Sequence, residues 1–104
     1  MNVAEDPNLK AIIDEKRYTV AAFYQFVSLN NTKHLQAELK KLCQKYEIFG
    51  TILLAREGIN GTVSGSQSSV NSLFKWFDHQ PSFHDIQVKY SNSNSLAFNR
   101  LKVR

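Results

Sequence analysis

Residues 55–65, AREGINGTVSG, hold three of the chain's four glycines, and β-forming runs enter and leave them. FGTILLA (Phe49 to Ala55) leads in, and TVSG leads out. So short a connection between two β runs makes them antiparallel neighbours, because a parallel pair needs a crossover of a dozen or more residues. Glycines on either side of Ile59-Asn60 allow positive φ there, and Asn60-Gly61 is a favoured hairpin dipeptide. The bland reading is a turn with Glu57 as a spectator. The functional reading keeps Gly58 and Gly61 so that backbone N–H groups can approach a ligand or a neighbouring domain. Arg56 would then be a planar, bidentate donor to phosphate or carboxylate. A Walker loop is excluded, since no Lys-Ser/Thr follows the final glycine.

The remaining elements fall around this hairpin. Thr19 to Leu29 reads as a strand, rich in aromatic and β-branched residues. Asn30-Asn31 turns the chain and Thr32 is a helix N-cap candidate. Leu35, Leu39, Leu42 and Tyr46 then form one helical stripe, with Lys33, Lys40, Lys41 and Lys45 outside it. Ser66 can cap a second helix whose Val70, Leu73, Phe74 and Phe77 share a face; Trp76 lies one step off the stripe and suits core packing. Pro81 ends that helix. Ile86, Val88 and Tyr90 alternate with polar residues as a strand, SNSNS (Ser91 to Ser95) is a loop, and Leu101 and Val103 begin another strand. The order β-α-β-β-α-β predicts an α+β, ferredoxin-like or acylphosphatase-like sandwich: a four-stranded antiparallel sheet with two helices on one face. Residues 1–17 read as a lead-in with a short helix around Leu9 to Glu15, and residues 18–104 as the domain.

The first two strands do not alternate as a half-exposed sheet should. Val20, Ala22, Tyr24 and Phe26 point one way, and Ala21, Phe23 and Val27 the other; Ile52 and Leu54 oppose Leu53 and Ala55. An apolar second face calls for a cover: a further domain, another copy of the chain, or the lead-in folding back. The alternating basic strand at Arg104 favours the further domain.

Apolar residues at 42% and charged residues at 21% describe a soluble globular chain with no membrane-length apolar run. The acidic start, MNVAEDPNLK, does not suit a signal peptide. One cysteine, Cys43, excludes an internal disulfide and fits a reducing compartment. Beyond residue 17 the chain carries ten bases against five acids, a weak preference for anionic partners such as RNA. Phe98, Arg100, Lys102 and Arg104 share one side of the tail strand, FNRLKVR, a stripe able to track a nucleic-acid backbone or simply to guard an exposed edge. Cys43 sits beside Leu42 with no base at helical spacing and reads as a small hydrophobe. His34, His79 and His84 are scattered surface residues in no metal-binding spacing. Asp78 and Asp85 have no arrangement that makes them an acid–base pair, and no nucleophilic triad can be argued.

Three pieces in order, FYQFVSL, LLAREGINGTVSG and FNRLKVR, resemble the N-terminal domain of a bacterial family of rhodanese-related proteins. These are the oxygen-dependent tRNA uridine hydroxylases, which act at the wobble position. Ala55, Glu57, Gly58, Ile59, Asn60, Gly61 and Thr62 match the family's A-x-EGINGT turn, and Phe98, Arg100, Leu101, Lys102 and Val103 its Phe-x-RLKV segment. The match spans roughly residues 18 to 104. The resemblance implies an acylphosphatase-like domain packed on a C-terminal rhodanese domain that carries the reactive cysteine loop and lies outside this chain. Cys43 falls on no matching motif. The fragment is therefore expected to be inert, with no catalytic residue, metal or cofactor of its own; molecular oxygen is the co-substrate of the parent enzyme. Expected partners are tRNA and the intramolecular rhodanese domain, in the cytoplasm and without membrane, with the oligomeric state open.

The expected tRNA-facing or domain-facing surface is Arg56, Glu57, Gly58, Asn60 and Gly61 at the turn with Arg100, Lys102 and Arg104 on the tail. A true acylphosphatase is disfavoured, because VSLNNTKH after the first strand offers neither glycine nor arginine for a phosphate cradle. The alternative is a stand-alone protein- or RNA-interaction module without catalysis. Against an RNA-recognition sheet, Tyr24 and Phe26 lie in a run with no cations.

Overall fold

The computed structural model describes residues 18–104; the lead-in, with the helix expected around Leu9 to Glu15, lies outside the described residues. The elements run β1 (Tyr18–Phe26), α1 (Thr32–Lys45), β2 (Phe49–Ala55), β3 (Gly58–Ser66), α2 (Gln67–Asp78), β4 (Gln87–Ser93) and β5 (Leu101–Val103). Among the described residues no helix is long and apolar enough to cross a membrane.

Both helices form where apolar spacing asks for them. Leu35, Leu39 and Cys43 bury one side of α1 while Lys33, Lys40, Lys41 and Lys45 stay exposed. The residue before α1 is Asn31 rather than Thr32, and its side chain makes no capping bond. At the other end Glu47 takes φ 55°, a left-handed position that usually falls to glycine, and the Ile48 N–H donates to the Cys43 carbonyl at 2.8 Å. Ser66 caps α2 as its sequence suggests, its Oγ accepting from the Ser69 N–H at 3.1 Å. Phe77 on α2 is the hub of the core. Its ring centroid lies 5.5 Å from Phe23, 5.5 Å from Phe74, 5.4 Å from Trp76 and 5.3 Å from Phe83.

The sheet has five strands in the order β4-β1-β3-β2-β5. The first four pair antiparallel, as expected. The four-stranded description is corrected by β5, which joins parallel to β2 and makes the sheet mixed. The outer edge of β2 would otherwise carry unpaired amides. Gly50 N–H donates to Arg100 O (2.8 Å), Arg104 N–H to Ile52 O (2.8 Å), and Leu54 N–H to Arg104 O (2.7 Å).

The hairpin also differs from its sequence reading. Its turn is Arg56-Glu57, and Asn60-Gly61 lies inside β3, opposite Leu53 and Ile52 on β2. Side-chain alternation decides the register, since a slip of one residue would flip every side chain. With the turn at 56–57, Ile59 and Val63 reach the core. Gly61 lies on the same side, and a Cβ there would stand 2.9 Å from the Phe23 ring. SNSNS likewise divides, Ser91 to Ser93 extending β4 along Val20 to Tyr18.

Since β4 and β5 are opposite edges, their connection must cross the sheet. Leu96 borders a depression with Tyr18, Phe49 and Ser66, and Phe98 another with Ala22, Thr51 and Thr62. At Phe98 the crossover therefore lies over the face away from the helices, and at Leu96 it lies at the end of the sheet near Tyr18, where Tyr46, Glu47 and Ser69 line the same depression. Among the described residues nothing covers the far end of that face.

Candidate nucleic-acid interface

The register assigns the residues of the open face row by row. One row reads Lys89, Ala22, Thr62, Thr51 and Lys102 across β4, β1, β3, β2 and β5. The next reads Gln87, Tyr24, Asn60 and Leu53, with Arg104 beside Leu53 because the β2–β5 ladder continues through it. Phe26, Gly58 and Ala55 close the face at the turn end. Leu101 and Val103 turn toward the helices, where Gln36 Nε2 donates to the Val103 carbonyl at 2.8 Å, so Lys102 and Arg104 project on the open side.

The apolar second face expected from the sequence is present and largely uncovered at this end. Phe26 is 84% exposed, Tyr24 51% and Leu53 40%. Among the described residues the one contact between a basic and an acidic side chain within 4 Å is His34 Nε2 to Glu38 Oε1 on α1, and Arg56, Lys89, Arg100, Lys102 and Arg104 have no described carboxylate within bridging distance.

The site residues expected from sequence divide into three groups. Glu57, Asn60, Lys102 and Arg104 are brought to the open face, and Arg100 flanks them at the β5 edge. Arg56 stands apart, in a depression with Asn31, Lys33 and His34 at the start of α1. Gly58 and Gly61 are packing positions rather than open backbone. Gly58 has φ 150°, and a Cβ on it would lie 2.1 Å from the Gln25 carbonyl oxygen. The idea that these glycines expose N–H groups to a ligand is thereby corrected.

Sequence reasoning dismissed Tyr24 and Phe26 for want of nearby cations. The run itself holds no cation, but the register puts Lys89 of β4 on the same face beside β1, with Lys102 and Arg104 on that face at the β5 edge. The signal was the period-two exposure of Tyr24 and Phe26, but pairing partners cannot be read from one strand.

The segment after β1 makes a poor phosphate cradle. Val27 N–H already donates to Glu57 O at 3.0 Å and Leu29 N–H to Arg56 O at 2.8 Å. Cys43 is fully buried in α1, and burial pushes its thiol up to about 12. We expect it to resist an aromatic disulfide reagent at mildly alkaline pH in the folded chain and to react fully once the chain is denatured. Rapid reaction of the native chain would contradict this placement.

Residues 18–104 match the model of the UPF0176 acylphosphatase-like domain. A protein of Bartonella bacilliformis named tRNA uridine(34) hydroxylase is 44% identical over 90 residues, covering 86% of this chain and 30% of that protein. One of Ehrlichia canis with the same name is 41% identical, covering 84% of this chain and 32% of its own length. The chain thus spans about a third of these relatives. Among solved structures, an acylphosphatase from Coxiella burnetii superposes with a TM-score of 0.59 at 10% identity, covering 88% of this chain and 96% of that one, a likeness of fold alone. The matched hairpin, basic fifth strand and acylphosphatase-like sheet together place this chain in the UPF0176 acylphosphatase-like domain family.

Proposed function

We propose that this chain is the N-terminal domain of an oxygen-dependent, rhodanese-related tRNA hydroxylase of the cytoplasm that modifies the wobble uridine. The domain holds tRNA and packs against the rhodanese domain that carries the reactive cysteine. The observation that carries this reading is 44% identity to a protein named tRNA uridine(34) hydroxylase over nearly the whole described chain. The basic β5 edge beside an open sheet face supports the RNA-holding part. Cys43, buried and un-ionised, is unsuited to be the nucleophile, which accords with chemistry carried elsewhere in the parent protein.

Within this reading Arg100, Lys102 and Arg104 contact phosphates, and Glu57 fixes the turn at the edge of the cleft. Arg56 serves the domain boundary at the start of α1. Molecular oxygen is the co-substrate of the parent enzyme.

The test is made in the organism that encodes the chain, grown under isotopically labelled dioxygen. Mass spectrometry of its tRNA is expected to show labelled hydroxyuridine at the wobble position. Deleting codons 18–104 from the gene is expected to abolish it. Undiminished hydroxyuridine after that deletion would refute the proposal.

A further inference from the structure

The open end of the sheet combines features that a surface seldom shows together without a ligand. Two aromatic side chains, Tyr24 and Phe26, stand on adjacent same-face positions of the central strand β1 with ring centroids 6.0 Å apart. They meet edge-to-face, at 63°, so the edge of one ring abuts a face of the other and each ring keeps at least one broad face that the other does not touch. Same-face neighbours along a strand are about 6.8 Å apart, comparable to one step of an extended sugar–phosphate chain. Asn60 lies directly beside Tyr24 and presents an exposed amide, which can both donate to and accept from a base edge.

Cations bound this patch on both sides. Lys89 is on the β4 side, and Lys102 and Arg104 are on the β5 side, all exposed. Among the described residues Glu57, at the turn, is an acid that borders it. The aromatics lie in the middle of the face and the cations along its two sides, an arrangement of stacking rings between basic margins that suits unpaired bases with their phosphates.

We infer that the open face of β1, β3 and β2 binds a single-stranded RNA segment, with one base stacked on Tyr24 and the next on Phe26, Asn60 reading a base edge, and Lys89, Lys102 and Arg104 meeting the phosphates. The inference rests on the tRNA-holding reading above and adds that the RNA met here is unpaired, as in a loop, rather than helical.

The test is fluorescence anisotropy of the chain with labelled oligouridine and with a blunt RNA duplex of equal charge. Oligouridine is expected to bind more tightly than the duplex. The double variant Tyr24→Ala, Phe26→Ala is expected to lose about ten- to a hundredfold in oligouridine affinity with its salt slope unchanged. Tyr24→Phe keeps the stacking surface and is expected to bind like the parent chain. Both positions are exposed, so circular dichroism should match the parent.

Equal affinity in the double variant overturns the inference, as does tighter binding of the duplex. So does RNA-independent self-association that vanishes with Phe26→Ala, which would make the patch an interface between copies. If the double variant binds normally while deletion of codons 18–104 still abolishes wobble hydroxylation, the stacking platform falls and the functional reading stands. If that deletion leaves hydroxylation intact, the functional reading falls.

Discussion

Gly58→Ala is expected to destabilise the domain by about 3–5 kcal/mol, a large fraction of the 5–15 kcal/mol typical of a domain this size. Two effects combine. At φ 150° an L side chain is strained, at a cost of order 1–2 kcal/mol. A Cβ at that backbone position would also sit 2.1 Å from the Gln25 carbonyl oxygen and 3.1 Å from the Phe26 Cα, and main chain cannot rotate aside as a side chain would.

Nor can Gln25 yield easily. Its side chain is buried, with Nε2 donating to Ser82 O at 2.8 Å and Oε1 accepting from the Asp85 N–H at 3.3 Å. Urea unfolding measures the outcome. A midpoint corresponding to less than about 1 kcal/mol of destabilisation would show that the β1–β3 contact is softer than its geometry requires.

The same contact explains what the sequence could and could not disclose. Glycine at a hairpin signals a conformational need, and the need at Gly58 is real. Asn60-Gly61 carried the strongest local turn signal, yet the turn lies four residues earlier, at Arg56-Glu57. Ile59 and Val63 must both reach the core, and burial of two aliphatic side chains outweighs a dipeptide preference. Local chemistry thus located the reversal to within a few residues, and packing set it.

Helices were legible because a single stripe determines which side is buried: Leu35 and Leu39 of the expected stripe fill the core, while Leu42 and Tyr46 are only partly buried and Cys43 takes the third core position on α1. The four antiparallel strands followed from order and spacing. The fifth strand's partner did not, because parallel pairing with β2 depends on which edge remains open after the others have assembled. The candidate interface was half legible for the same reason. Lys102 and Arg104 stood out as a basic alternation along one strand. That they share a sheet face with Tyr24 and Phe26, three strands away, is a property of register across β1, β3, β2 and β5, which no single segment contains.

Arg100→Glu with Lys102→Glu is expected to weaken tRNA binding by the protein about ten- to a hundredfold at moderate salt, and to reduce the salt dependence. Each phosphate contact contributes about 0.7 to the slope of log affinity against log salt on single strands and about 0.9 on duplex. Losing two contacts should therefore flatten the slope by roughly 1.4–1.8. Both side chains are exposed and bond to no carboxylate among the described residues, so folding is expected to be unaffected.

The informative control is Lys40→Glu with Lys41→Glu, which changes net charge equally on the outer side of α1, away from the sheet. If binding depends only on overall charge, both double variants weaken alike. If the β5 edge meets the phosphates, the first falls and the second stays within about twofold, since exposed charges more than a Debye length of about 8–10 Å from the ligand are largely screened. An unchanged slope for the first variant, or an equal loss for the second, would remove β5 from the RNA-binding surface.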